Sequence, residues 1–169
     1  MTEASHVGDL VTRLALSHPE VSFRFINNGQ VKLHTSGNGN LKDVIYHIYG
    51  REIASNLIEV DFERKGIHIT GYLGKPLISR GNRNFENYFV DGRYIKSSII
   101  SKAIEDGYKD FTMQHKYPFV VLYLDVDTEH VDVNVHPTKM DVRFNNQQEI
   151  YNILFAAVDD GLHERELIP

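Results

Sequence analysis

The sequence predicts an α+β domain with two layers, a mixed β-sheet carrying helices mainly on one face. Three observations lead there. Helical and strand-like segments are interspersed along the chain. Several neighbouring strands are joined by tight turns, Asn27-Asn28-Gly29, Lys65-Gly66 and Asp91-Gly92, and therefore form hairpins. Residues 118–126 read as one strongly apolar central strand, with Phe119, Val120, Val121, Leu122, Tyr123 and Leu124 in succession. No repeat, linker, or serine or glycine tract interrupts the chain, so residues 1–169 read as a single domain.

In chain order, Val7, Leu10, Val11, Leu14 and Ala15 fall at helical spacing, which predicts a helix over residues 3–17 ended by His18-Pro19. Val21, Phe23 and Phe25 alternate with polar residues, a strand over 21–26, and residues 30–34 pair back on it. A second helix spans 41–49, with Leu41, Val44, Ile45 and Ile48 on one face and Gly50 as its stop. Residues 51–55 add a turn. Strands follow over 57–63 and 67–73, then a crossing segment over 76–80 and a polar turn over 81–84. Residues 85–90 form a strand, and extended chain resumes at Tyr94-Ile95. Ser97 or Ser98 caps a helix through Ile99, Ile100, Ala103 and Ile104. The last helix starts near Gln147, with Ile150, Ile153, Leu154, Ala157 and Val158 on its packed face.

The composition excludes several classes. Hydrophobic residues make up 41% of the 169 and charged residues 24%, ordinary for a globular domain with a real core. No run approaches the ~18 apolar residues of a membrane helix. The N-terminus lacks a secretory pattern, and a helix directly after Met1 suggests a chain that starts inside a longer protein. Zero cysteines exclude disulfides and thiolate metal sites and fit a reducing, cytoplasmic compartment. A net charge of −5 argues against chain-wide nucleic-acid binding, so any such contact needs a local patch.

No nucleophile elbow, Walker loop or dinucleotide fingerprint is present. Asp125, Asp127, His130, Asp132 and His136 cluster in sequence, but their spacing matches no metal-ligand motif, and they read as solvated strand residues. Between residues 80 and 102, five cations (Arg80, Arg83, Arg93, Lys96 and Lys102) outnumber two carboxylates (Glu86 and Asp91). That excess suits phosphate contact, and it also suits an ordinary mixed surface. The sharpest feature is the stretch Val131-Asp132-Val133-Asn134-Val135-His136-Pro137-Thr138-Lys139-Met140-Asp141-Val142-Arg143-Phe144. Alternating valines make a strand, Pro137 stops it, and Lys139 follows in a short loop braced by Val142 and Phe144. A lysine on a rigid mount suits charge-assisted bonding to a phosphate; a solvated loop lysine is the plainer alternative.

Two of these stretches resemble the DNA mismatch repair MutL family. Arg83-Asn84-Phe85-Glu86-Asn87-Tyr88-Phe89-Val90-Asp91-Gly92-Arg93 resembles its "NR…FVNGR" stretch, and residues 131–144 resemble its "VDVNVHPxKxEVRF" signature, with Asp141 where Glu is commoner. The resemblance runs from the first helix to the last. It implies a transducer domain similar to the second domain of ribosomal protein S5, in a GHKL ATPase. The preceding ATPase domain, with its Mg-binding Asn, catalytic Glu and glycine-rich lid, and a C-terminal dimerisation domain are expected to lie outside this chain.

The resemblance further implies that Lys139 reaches the γ-phosphate of ATP across the domain boundary. His136 and Pro137 then set the direction of its loop, and Asp141 and Arg143 brace it. It implies a basic DNA surface at Arg93 and Lys96, with Arg83 weaker; a nearby helix position that is often basic in the family is Ser98 here. The expected chain is non-catalytic and monomeric alone, without a cofactor of its own. In the full-length protein its partners are ATP and Mg, DNA bound weakly and without sequence preference, and a MutS-type mismatch recognition protein, in a bacterial cytoplasm at the nucleoid. Two alternatives are a free-standing nucleic-acid-binding module and the second domain of another GHKL ATPase, such as a type II topoisomerase subunit.

Overall fold

The structure is a computed structural model that describes residues 3–127, residue 144 and residues 146–166. The chain divides into two compact units, Met1–Ser55 and Asn56–Pro169, each described by itself. No serine or glycine tract marks the division.

The first unit runs α1 (Glu3–Ser17), β1 (Arg24–Asn27), β2 (Gln30–His34), α2 (Leu41–Tyr49) and α3 (Arg51–Ala54). β1 and β2 form an antiparallel hairpin. Asn28 and Gly29 between them have φ of 53° and 76°, the two positive values that a type I′ turn requires and that asparagine and glycine tolerate. The strand predicted over 21–26 starts only at Arg24. Ahead of it, Thr35 replaces the ladder: its Oγ1 accepts the Phe23 N–H at 2.9 Å, and its carbonyl accepts the Ser22 hydroxyl at 2.7 Å. On α1, Ala15 and Leu16 are buried, whereas Val7, Leu10 and Leu14 remain exposed. Gly50 ends α2 with φ 94° and donates its N–H to the Tyr46 carbonyl at 2.9 Å.

The second unit contains β3 (Leu57–Arg64), β4 (Ile67–Gly74), a 3₁₀ turn (Pro76–Ile78), β5 (Glu86–Val90), β6 (Arg93–Tyr94), α4 (Ser98–Tyr108), β7 (Val120–Val126) and α5 (Gln147–Glu166). Its sheet has the order β3-β4-β7-β5-β6. All neighbours are antiparallel except β5 and β7, which pair in parallel from Glu86↔Val120 to Val90↔Leu124. A parallel pair needs a crossover, and α4 supplies it. The sheet is therefore mixed, with β7 at its centre.

Side-chain alternation sorts each strand onto two faces. Ile58, Val60, Ile67, Ile69, Tyr88, Val90, Val120, Leu122 and Leu124 form one buried cluster with Ile100 and Ile104 of α4 and Ile153, Leu154 and Val158 of α5. A Cβ on Gly107 would lie 2.6 Å from Val158 Cγ1, so the two helices meet where glycine leaves room. The other sheet face is not bare: Phe89 packs against Tyr94 and Tyr123 at ring-centroid distances of 5.8 and 5.7 Å. Among the described residues no helix is long and apolar enough to cross a membrane.

Candidate functional site

β5, the turn before it, β6 and one side of α4 line a cleft of about 660 Å³. Three local devices shape it. The first is the Asp91-Gly92 turn, with φ of 48° and 83°. Asp91 Oδ1 accepts the Val126 N–H at 3.0 Å, and the Asp91 N–H donates to the Leu124 carbonyl at 2.9 Å. The hairpin tip that presents Arg93 is thereby pinned to the end of β7.

The second device is the cap of α4. Ser97 is the cap residue, and its hydroxyl accepts the Ile100 N–H at 3.3 Å. The third is Tyr88, which reaches up from β5 and grips that cap. Its oxygen accepts the Ser97 N–H at 2.8 Å and donates to the Ser97 carbonyl at 2.9 Å. The Ser101 hydroxyl completes its shell at 2.8 Å. Burial pushes the Tyr88 phenol above its usual range, so it stays a neutral hydrogen-bonding hub.

The predicted site residues fall into different environments. Lys96, between β6 and α4, is exposed, lines the cleft, and has no ion-pair partner among the described residues. Arg93 is exposed on the hairpin, and Ser98 is exposed at the first position of α4. Arg83 is engaged: its Nε donates to Glu105 Oε2 at 2.9 Å, and its guanidinium lies 4.5 Å from the Tyr117 ring centroid. Lys139, with His136, Pro137, Asp141 and Arg143, lies outside the described residues. No group of three or more His, Asp or Glu among the described residues is arranged to hold a metal ion.

The sequence marked Glu86 and Lys102 only as members of a charge count and gave no role to Tyr88, Glu105 or Asp106; all five line this cleft, where Lys102 pairs with Asp106 at 3.2 Å. Glu86 was readable in part. It shares the inward parity of Tyr88 and Val90 on β5, a position where a carboxylate is out of place.

Solved structures share the fold. The N-terminal domain of a DNA repair protein superposes with a TM-score of 0.80 at 21% identity, covering 97% of this chain and 54% of that one. A variant MutL ATPase domain from Aquifex aeolicus gives 0.61 at 16%, covering 92% and 51%. These likenesses support the mixed α+β, S5 domain 2-like fold expected from the sequence. Family membership comes from sequence: the family described as DNA mismatch repair protein, C-terminal domain, matches residues 45–163, and this chain belongs to that MutL mismatch-repair family.

Relatives named DNA mismatch repair protein MutL include that of Agathobacter rectalis, 59% identical over 168 residues, which cover 99% of this chain and 26% of that protein. That of Clostridium acetobutylicum is 45% identical over 160 residues, 95% and 26% of the two. The chain spans about a quarter of the length of these relatives.

Proposed function

We propose that this chain is the transducer domain of a MutL-type repair ATPase. It has no catalytic activity alone, and it completes the nucleotide site of a preceding domain with Lys139. The observation that carries the reading is the match across 99% of the chain to a MutL protein at 59% identity, in a sequence where Lys139 follows the alternating Val131, Val133 and Val135 and then Pro137. A lysine of one domain bonded to the γ-phosphate held by another makes a contact that exists only with ATP bound. Hydrolysis removes the anion and loosens the two domains. A charge-assisted hydrogen bond of ~1.5–3 kcal/mol shifts such an equilibrium about tenfold or more.

ATP and Mg are the ligands of that composite site, and a MutS-type protein is the partner of the whole assembly. DNA is contacted weakly, by Arg93 on the β5–β6 hairpin and Lys96 at the cleft. Arg83, whose Nε donates to Glu105, is the weaker contributor. The test is Lys139→Ala in the full-length protein. ATP turnover should fall about tenfold while circular dichroism and the unfolding midpoint stay unchanged. Unchanged turnover overturns the sensor role.

A further inference from the structure

Glu86 sits on the inward face of β5 and is 7% exposed. Both of its carboxylate oxygens are sealed from solvent, and neither receives a hydrogen bond of normal geometry. An ionised carboxylate left so would be strongly unfavourable, and such groups lose their charge before they are stranded.

The groups facing it can be named. α4 presents Glu105 and Ser101, and Tyr88 stands beside it on its own strand. Tyr108, fully buried on α4, feels its charge. Its register partner on β7 is Val120, which is apolar. Lys102 and Asp106 line the same cleft but pair with each other at 3.2 Å. Among the described residues the cation that acts on Glu86 is Arg83, and its Nε is already engaged by Glu105 at 2.9 Å. The group that acts on Glu86 from that side is therefore a second carboxylate, Glu105, which lines the same cleft. A bond between two carboxylates needs a proton.

We propose that Glu86 and Glu105 share one proton and behave as a single monoanionic pair, clamped from outside by Arg83, which locks β5 to α4 beneath the cleft while the proton is held and strains that seam when it leaves. The proton resides on the more buried member, Glu86, whose O–H donates to a Glu105 oxygen. The Arg83 guanidinium donates to Glu105 from the other side, so the pair carries one negative charge against one positive charge. Burial pushes the Glu86 carboxyl up to about 9; the hydrogen bond and charge of Glu105 add to this, while Ser101 and Arg83 oppose it.

The sign of the linkage follows. Folding takes up a proton between the ordinary carboxyl value and about 9. The stabilisation is complete below the unfolded value and is lost as pH rises through the folded one. Within that window the folding constant falls up to ~tenfold per pH unit on this account alone.

The experiment compares the wild-type chain with Glu86→Gln. The introduced amide is isosteric and neutral, and it donates an N–H to Glu105 without needing a proton. Urea unfolding from pH 6 to 8 should show the wild type losing up to ~100-fold more in its folding constant than the variant does. In carbon-13 spectra of glutamate-labelled protein, the Glu86 carboxyl should appear protonated at pH 7 and titrate near 9. Equal pH slopes for the two proteins, or a Glu86 resonance that titrates at the ordinary glutamate value, overturns the proposal. Should Glu86→Gln fail to fold, the wild-type titration decides by itself.

Discussion

Tyr88→Phe tests whether the cleft is held open by a single hydroxyl. The side chain is 3% exposed, and the ring keeps its place among Ile100, Leu122 and their neighbours, so the substitution removes one oxygen and little packing. That oxygen has three partners, and they do not lose equally. The Ser97 carbonyl also accepts the Ser101 N–H at 3.0 Å, so it keeps a bond. The Ser101 hydroxyl can rotate to another acceptor. The Ser97 N–H, which donates to Tyr88 at 2.8 Å, is left as a part-buried donor with nothing to replace that partner. One stranded backbone donor costs about 1–3 kcal/mol. The cap bond from Ser97 to Ile100 remains, so α4 should persist while the segment holding Lys96 loosens. Urea unfolding should show a loss of about 1–3 kcal/mol, with faster hydrogen exchange at the Ser97 amide. A loss below about 0.5 kcal/mol with unchanged Ser97 exchange would refute the reasoning, because surface-like substitutions stay within that range.

Four further outcomes are expected. Gly71→Ala should abolish or nearly abolish folding: Gly71 has φ 121°, and an added Cβ would run into the Val121 carbonyl at the β4–β7 seam, which circular dichroism of the purified variant checks. Tyr108→Phe should lose about 1–3 kcal/mol in denaturant unfolding, because the buried hydroxyl that donates to the Gly74 carbonyl at 2.6 Å disappears and leaves that acceptor without it. Tyr151 should ionise only at about 12, since its hydroxyl donates to Asp106, and Asp106→Asn should bring its ultraviolet titration back down. Arg93→Ala and Lys96→Ala should each weaken DNA binding and reduce the log–log salt slope by about 0.9, whereas Arg83→Ala should change that slope less.

The sequence made the turns plain because their backbone geometry restricts residue choice. Asn28-Gly29, Lys65-Gly66 and Asp91-Gly92 all occupy paired positive φ values, and few sequences tolerate that. The centrality of residues 118–126 was legible from apolar content alone. The late start of β1 was not, because Thr35 takes over two ladder positions, one of them through its side chain, a replacement that leaves no periodic trace. The parallel pairing of β5 with β7 was equally hidden, since alternation reports which face a residue takes and not the direction of its neighbour. For the site, Lys139 was expected from a motif and lies outside the described residues, while Arg93 and Lys96 were expected from the resemblance and are exposed. Glu105 reaches Arg83 across 22 positions of sequence, and no local pattern announces a partner at that distance.

That tertiary pairing changes the charge argument. Counted along the chain, five cations give residues 80–102 a local excess. Counted in space, Lys102 is held by Asp106 at 3.2 Å, and Arg83 is held by Glu105 and stacked on Tyr117. Arg80 lies over the Phe85 ring at 5.4 Å with its Nε buried. Within that stretch, the cations best exposed to meet a phosphate are Arg93 and Lys96, on either side of Tyr94, in a chain whose net charge is −5. Two phosphate contacts would contribute only about 2 to a salt slope, a shallow dependence for this stretch. The two candidate roles ask different things of such a surface. An isolated nucleic-acid-binding module would need many basic residues turned toward its ligand, whereas a domain that answers to a nucleotide in its neighbour needs one well-placed lysine and can leave the others neutralised.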